Sequence, residues 1–354
     1  MNNNEPEKVV KPVRPVSLDN KVIVVDGLVG GGKGLMCSVI SSIPSVEMWI
    51  HRPNIEQICA MHHLKNITLN GASSLINTWV DEEFINLSMS RNTNFRPSDE
   101  SSIFKDPRRY RYWSRLFQHG GESAKKRVIE ENRVINLMTH ANSAYSEPIF
   151  KAFSDRLVYI RIVRCPMSDY MINHLSNWSQ RWGSDVRSGM VLHEKIDSNN
   201  KYITPFFMLG DEIEYYESSG QERAVMMIDR WQTDGNVIID DMKNKSLSKI
   251  IEIPFEKFVM NPNPYVKKIS DAINTTPDHI TKKELIKQGV PRRSITDAPY
   301  NNNYAKIGWK KPEKYLSFAE EIDRVRSELK KVMPTNAMSL LESITADYIN
   351  RYNM

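Results

Sequence analysis

Short apolar blocks rich in β-branched residues, separated by stretches long enough for helices, set the rhythm of this chain. Residues 21–26 (KVIVVD) form a continuous apolar run, which predicts a strand buried on both faces. Residues 45–51 (SVEMWIH), 133–140 (RVINLMTH), 157–164 (LVYIRIVR), 236–240 and 249–255 (KIIEIPF) read as five more strands. Strands alternating with helices favour parallel pairing through right-handed crossovers. The predicted fold is α/β, a parallel sheet flanked by helices.

Two regions break the rhythm, about 87–122 and 185–220. The first holds the basic and aromatic run Lys105 to Arg115, the second the apolar patch Ile203 to Leu209. Irregular insertions in such folds form substrate loops or lids at the carboxyl edge of the sheet. The basic-aromatic run reads either as a holder for an acidic glycan or nucleotide, or as an amphipathic helix showing its charges to water. Near the end of the chain Ser317-Phe-Ala-Glu320 is a capping box, followed by Ile322, Val325 and Leu329 at helical spacing. Pro334 closes that helix, and another is predicted through Leu341, Ile344 and Tyr348. The expected organisation is a flexible N-terminal tail over residues 1–20 and a single domain over 21–354.

Composition narrows the function classes. Over 354 residues the hydrophobic share is 40% and the charged share 26%, an ordinary globular balance. A formal net charge of +5 suits an anionic ligand but is too small for a dedicated nucleic-acid binder. Residues 1–20 carry no apolar segment of the kind that targets or anchors a chain, and no run is long enough to span a bilayer. The three cysteines, Cys37, Cys59 and Cys165, lack metal-ligand spacing and read as small buried apolar residues in a reducing compartment. A cytoplasmic protein is expected.

The clearest chemical signal is Gly27-Leu-Val-Gly30-Gly31-Gly32-Lys33-Gly34, set between a predicted strand and a predicted helix. Glycines let the backbone turn its N–H groups toward one anion, and the helix N-terminus and Lys33 add positive charge. The loop departs from the Walker pattern, since Gly34 and Leu35 occupy the positions where Ser or Thr would hold Mg²⁺. His140, at the end of a predicted strand, has an unperturbed pKa near ~6.5 and suits proton transfer at neutral pH. Arg164, at the end of another, offers a planar fork for a phosphate. Trp178, Trp182, Trp231 and Trp309 are expected in the core or at its rim.

With these motifs in order, the chain resembles the sulfotransferases that use 3′-phosphoadenosine 5′-phosphosulfate (PAPS). Val29 to Gly34 lines up with the family's 5′-phosphosulfate loop, Met138-Thr139-His140 with its Lys/Arg-x-His strand end, and Ile162-Val163-Arg164-Cys165-Pro166 with its 3′-phosphate strand. Residues 250–262 are similar to the following strand and Phe-Glu segment, and Gly308-Trp309-Lys310 to the closing loop over the nucleotide. Where the family places a serine eight residues beyond the arginine, this chain has Ile172, with Asn173 and Ser176 the nearest polar residues.

The resemblance implies sulfuryl transfer from PAPS to a hydroxyl or amine of a small-molecule, lipid or carbohydrate acceptor, without a metal. His140 would be the general base and Lys33 the catalytic cation. Gly27, Gly30, Gly31, Gly32, Lys33, Gly34 and Arg164 would hold the donor. Two alternatives remain. Asp26-Gly27 with Gly32-Lys33-Gly34 also resembles the nucleoside monophosphate kinase loop, with Val237 to Asp241 as a Walker B strand and Arg181 and Arg187 available to a lid. A third reading is a non-catalytic protein that binds a nucleotide on this loop.

Overall fold

A computed structural model of the chain describes residues 11–197, 200–245, 248–299 and 312–354. Its centre is a five-stranded, wholly parallel sheet with the order β2-β3-β1-β4-β7. The strands are β1 (Val22–Asp26), β2 (Val46–His51), β3 (Val134–Met138), β4 (Leu157–Val163) and β7 (Lys249–Pro254), while β5 (Leu192–Asp197) and β6 (Asn200–Pro205) pair as an antiparallel hairpin.

The continuous apolar runs are explained by burial on both faces. In β1, Val22 and Val24 belong to one core, and Ile23 and Val25 to the other. The first core takes up α2 (Pro53–His63), α3 (Leu69–Ser88), α6 (Glu147–Phe153), α7 (Asp169–Ser179) and α9 (Gly220–Lys245), through residues such as Ile55, Ile76, Ile149, Ile172 and Ile228. The second takes up α1 (Lys33–Ser41), α10 (Phe255–Met260), α11 (Asn263–Ala272) and α12 (His279–Lys287). Short α4 (Tyr110–Arg115), α5 (Glu122–Glu130) and α8 (Glu212–Glu217) lie in or beside the two insertions. All three cysteines are buried.

The chain ends in α13 (Phe318–Leu329) and α14 (Thr335–Tyr352). Ser317 and Glu320 complete both halves of the expected capping box. The hydroxyl of Tyr348 in α14 donates to Glu256 in α10 at 2.5 Å, tying the C-terminus to the sheet edge that carries the site. No helix among the described residues is long and apolar enough to cross a membrane.

Three expectations are corrected. Residues 236–240 are not a strand but lie inside α9. The buried positions of α9 include Ala224, Ile228, Trp231, Gly235 and Ile239, a three-to-four residue repeat that outweighs the local β-branched run. The insertion at 185–220 is more regular than expected, since it contains β5, β6 and α8. The basic-aromatic run does not simply show its charges to water. Arg115 forks onto the buried Glu47 with two bonds of 2.8 Å, Arg111 donates to the carbonyls of Val46 and Pro44, and Arg108 pairs with Asp278. Three of its arginines thus brace the start of β2 and the second core. Of the expected tail, residues 11–20 carry no helix or strand, yet Leu18 and Asn20 are buried, while residues 1–10 lie outside the described residues.

Candidate active site at the carboxyl edge of the sheet

β1 stands between β3 and β4, so the loops leaving these three strands meet at one edge, where ligand sites of open α/β sheets form. The glycine loop leaves β1 and opens α1. Gly32 is the N-cap of α1 with φ +99°, and a Cβ there would lie 2.4 Å from the ring of Phe255. Gly27 has no room either, since a Cβ would meet the carbonyl oxygen of Ile162 at 2.5 Å. Only glycine lets this loop pass so close to β4 and α10.

Lys33 turns back into the loop, its ammonium donating to the carbonyls of Gly27 at 2.7 Å and Leu28 at 2.8 Å. Burial pushes this ammonium down to about 8, against the pull of Asp26 and Glu56. It remains mostly charged at neutral pH.

Arg164 follows β4 directly. Its guanidinium donates to the carbonyl of Gly30 at 2.9 Å and lies over the rings of Phe255 and Tyr170, 4.7 and 5.0 Å from their centroids. The turn after it is held by Glu256, which accepts from the Cys165 amide at 3.1 Å. Arg292 lies over the same Phe255 ring at 5.4 Å. Sequence reasoning missed this second arginine because no motif surrounds it.

His140 lies two residues past β3, on a loop fastened to β1. Buried Asp26 accepts from the Thr139 hydroxyl at 2.8 Å, the Asn142 amide at 2.9 Å and the Ser143 hydroxyl. The Ala141 amide donates to the Gly27 carbonyl at 2.9 Å, so the histidine loop and the glycine loop are bonded to each other. Glu56, in the first turn of α2, accepts from the backbone amide of His140 at 2.8 Å. The same Glu56 oxygen is 3.1 Å from His140 Nδ1 and 3.0 Å from His51 Nε2, and the two nitrogens are 3.1 Å apart.

Electrostatics follow from this crowding. Burial, then the charge of Lys33, pushes the His140 imidazole down to about 4, well below the unperturbed value assumed from sequence. Burial alone would raise the Glu56 carboxyl, but His140 and His51 hold it down at about 2. His174 in α7 is likewise pushed to about 4 by burial and by Lys33, and its Nδ1 has no hydrogen-bond partner among the described residues. At neutral pH the site therefore presents an ionised carboxylate beside uncharged His140 and His174.

His140 faces a cavity of about 250 Å³, which Val29 of the glycine loop also lines. Aromatic side chains form part of its wall, Trp178 and Trp182 from α7 and its extension, Phe206 and Phe207 after β6, and Trp231 from α9, with Arg181, Asp185 and Arg187 beside them. The insertion at 185–220 lines this cavity and the one at 87–122 does not. At the position of the absent serine Ile172 is buried in the core, while Ser168, which the sequence reading did not weigh, caps α7 and lines a small pocket with Arg164. Gly308-Trp309-Lys310 lies outside the described residues.

Lys33, Arg164 and His140 are thus brought to one edge, together with Gly27, Gly30, Gly31, Gly32 and Gly34. His51, Glu56 and His174 join them from elements that the motif search did not connect. The Walker B reading of residues 237–241 loses its strand, since Asp240 and Asp241 lie on α9. Arg351 holds Asp240 in a surface network through paired bonds of 2.8 and 2.6 Å, and donates to Glu252 at 3.0 Å.

No protein-family model matches the chain, and no curated protein matches its sequence. Among solved structures it is similar to the sulfotransferase domain of the Synechococcus PCC 7002 olefin synthase, at 12% identity and a TM-score of 0.40, covering 94% of this chain and 98% of that one. It is also similar to the sulfotransferase domain of the curacin biosynthetic pathway, at 12% identity, a TM-score of 0.40 and coverage of 89% and 99%. A third similar structure is sulfotransferase STF1 from Mycobacterium tuberculosis H37Rv, at 10% identity, a TM-score of 0.38 and coverage of 88% and 77%.

Proposed function

We propose that this protein is a sulfotransferase that moves a sulfuryl group from PAPS to a hydroxyl or amine held in the aromatic cavity. The observation that carries this reading is the bond from Arg164 to the Gly30 carbonyl. It brings a second, forked cation beside a glycine loop that already has Lys33 but no hydroxyl for Mg²⁺. Two cations about one nucleotide suit a donor with phosphates at both its 5′ and 3′ positions.

In the proposed reaction the acceptor oxygen or nitrogen attacks sulfur in line. The bond between sulfur and the bridging oxygen breaks, and its electron pair stays on the 5′-phosphate of the leaving nucleotide. Lys33, at the head of α1, neutralises that growing charge. The acceptor's proton passes to His140, whose ring is uncharged at neutral pH and so has a lone pair to offer. Glu56 is the positioning residue: it accepts from the His140 amide and stands against Nδ1, leaving Nε2 to face the acceptor.

Thermal shifts test the donor assignment. Adenosine 3′,5′-bisphosphate should raise the melting temperature equally with and without Mg²⁺. Stabilisation by ATP that requires Mg²⁺, with none from the bisphosphate, would instead make the protein a kinase-like nucleotide binder. Arg164→Ala should weaken the bisphosphate at least tenfold and leave adenosine 5′-phosphate nearly unchanged, since a charge-assisted hydrogen bond contributes roughly 1.5–3 kcal/mol. Equal losses for both nucleotides in calorimetry would remove Arg164 from the 3′-phosphate.

A further inference from the structure

We propose that His51, Glu56 and His140 form a binding site for a first-row divalent transition metal, Zn²⁺ in particular, and that loading it silences His140 as a base. The first half stands on geometry alone. The second rests on the sulfuryl-transfer reading.

His51 Nε2, Glu56 Oε1 and His140 Nδ1 make a nearly equilateral triangle with edges of 3.0, 3.1 and 3.1 Å. They are the cluster of metal-ligand type found among the described residues. Ligand bonds of about 2.0–2.2 Å place neighbouring donors of a metal ion roughly 3 Å apart. Two imidazoles and one carboxylate on one face, with the remaining positions open, is a recurrent metal-binding set. The open side here is the aromatic cavity, which all three residues line. Side-chain exposures of 30%, 24% and 18% leave the trio reachable by an ion without placing it on the outer surface.

Protons alone satisfy this triangle poorly. A neutral imidazole has one N–H. If both ring nitrogens donate to Glu56, three N–H groups converge on one oxygen, the third being the His140 amide. If one nitrogen donates to the other, the acceptor's proton-free ring atom confronts the carboxylate oxygen, and two lone pairs oppose. A cation above the triangle turns all three lone pairs into ligands at once. The backbone amide of His140 already bonds the same Glu56 oxygen at 2.8 Å and fixes it in place. Imidazole donors favour Zn²⁺, Co²⁺, Ni²⁺ or Cu²⁺ over Mg²⁺, so this site is separate from the missing Mg²⁺ handle of the glycine loop.

A metal on Nδ1 forces the proton of the neutral ring to Nε2, the atom that would face the acceptor. The loaded protein then has no free lone pair on His140 with which to take a proton.

Titrating Co²⁺ into the full-length, chelator-treated protein tests the site through the visible absorption of the ion. Wild type should develop a saturable ligand-field spectrum at one ion per chain, displaced by Zn²⁺ and not by Mg²⁺. His51→Ala and Glu56→Gln should each weaken binding at least tenfold, while both keep a cooperative melting curve by circular dichroism, which reports that they are folded. An unchanged aqueous Co²⁺ spectrum with wild type, or equal affinity in the two variants, overturns the site. In a sulfate-transfer assay the rate should fall in proportion to Zn²⁺ occupancy and return on chelation. Full activity at full occupancy overturns the silencing. If the metal-free protein transfers no sulfate to any acceptor, the silencing falls with the functional reading, while the Co²⁺ spectrum still decides the site.

Discussion

Replacing Lys33 with alanine should lower turnover by roughly 10²–10³, the usual loss when one fixed group facing developing negative charge is removed. The ammonium sits at the head of α1 and within the loop itself, 2.7 and 2.8 Å from the carbonyls of Gly27 and Leu28. Its burial is unfavourable on its own account, since the group is pushed down to about 8 despite Asp26 and Glu56. A buried cation held against its own tendency to neutralise is poorly explained by stability. Lys33→Ala also removes two buried hydrogen bonds to the loop carbonyls, so its melting temperature should fall modestly while turnover falls by orders of magnitude. A variant with full sulfate-transfer activity would show that the cation serves only the loop. One that unfolds early but turns over normally per folded molecule would assign it to structure.

Much of this edge was legible in the sequence because its signals are local. The run from Lys21 to Lys33 contains a strand, a glycine turn and the start of a helix, all within thirteen consecutive residues. The ends of β3 and β4 could be read in the same way, which is how His140 and Arg164 were found. Two things were not local. Residues 236–240 have strand composition, but their helix is stabilised by packing against the first core, and Val237 simply points to solvent at 65% exposure. The partners of His140 come from far along the chain: Glu56 is 84 residues away and His51 is 89. No periodicity connects them. A signal was nonetheless present, because His51 ends a predicted strand by the same rule that singled out His140. Applying that rule to every strand end would have placed two histidines at one edge.

His140→Ala should produce the largest loss, roughly 10²–10⁴ in turnover, the usual contribution of positioned proton transfer. That equals roughly 3–5 kcal/mol of transition-state stabilisation. The loss should fall on kcat, with KM for the donor within a few-fold of wild type, because the imidazole lies against Glu56, His51 and Trp178 beside the cavity proposed for the acceptor. A structural histidine would behave differently. The loop that carries it is fastened by Asp26 through Thr139, Asn142 and Ser143, and by the Ala141 amide on Gly27. None of those bonds uses the imidazole, so its removal should leave the loop and the melting curve nearly intact. The assay belongs in chelator, where no ion competes for Nδ1 and the comparison isolates the base. Glu56→Gln provides the companion measurement. It keeps an oxygen for the His140 amide but removes the charge that stands against Nδ1, so kcat should fall by less than in His140→Ala, again with donor KM unchanged. The two losses should not add in the double variant, because Glu56 acts on the reaction only through the ring that has been removed. Additive losses, or a His140→Ala protein that melts early yet turns over normally per folded molecule, would end the assignment of His140 as the base.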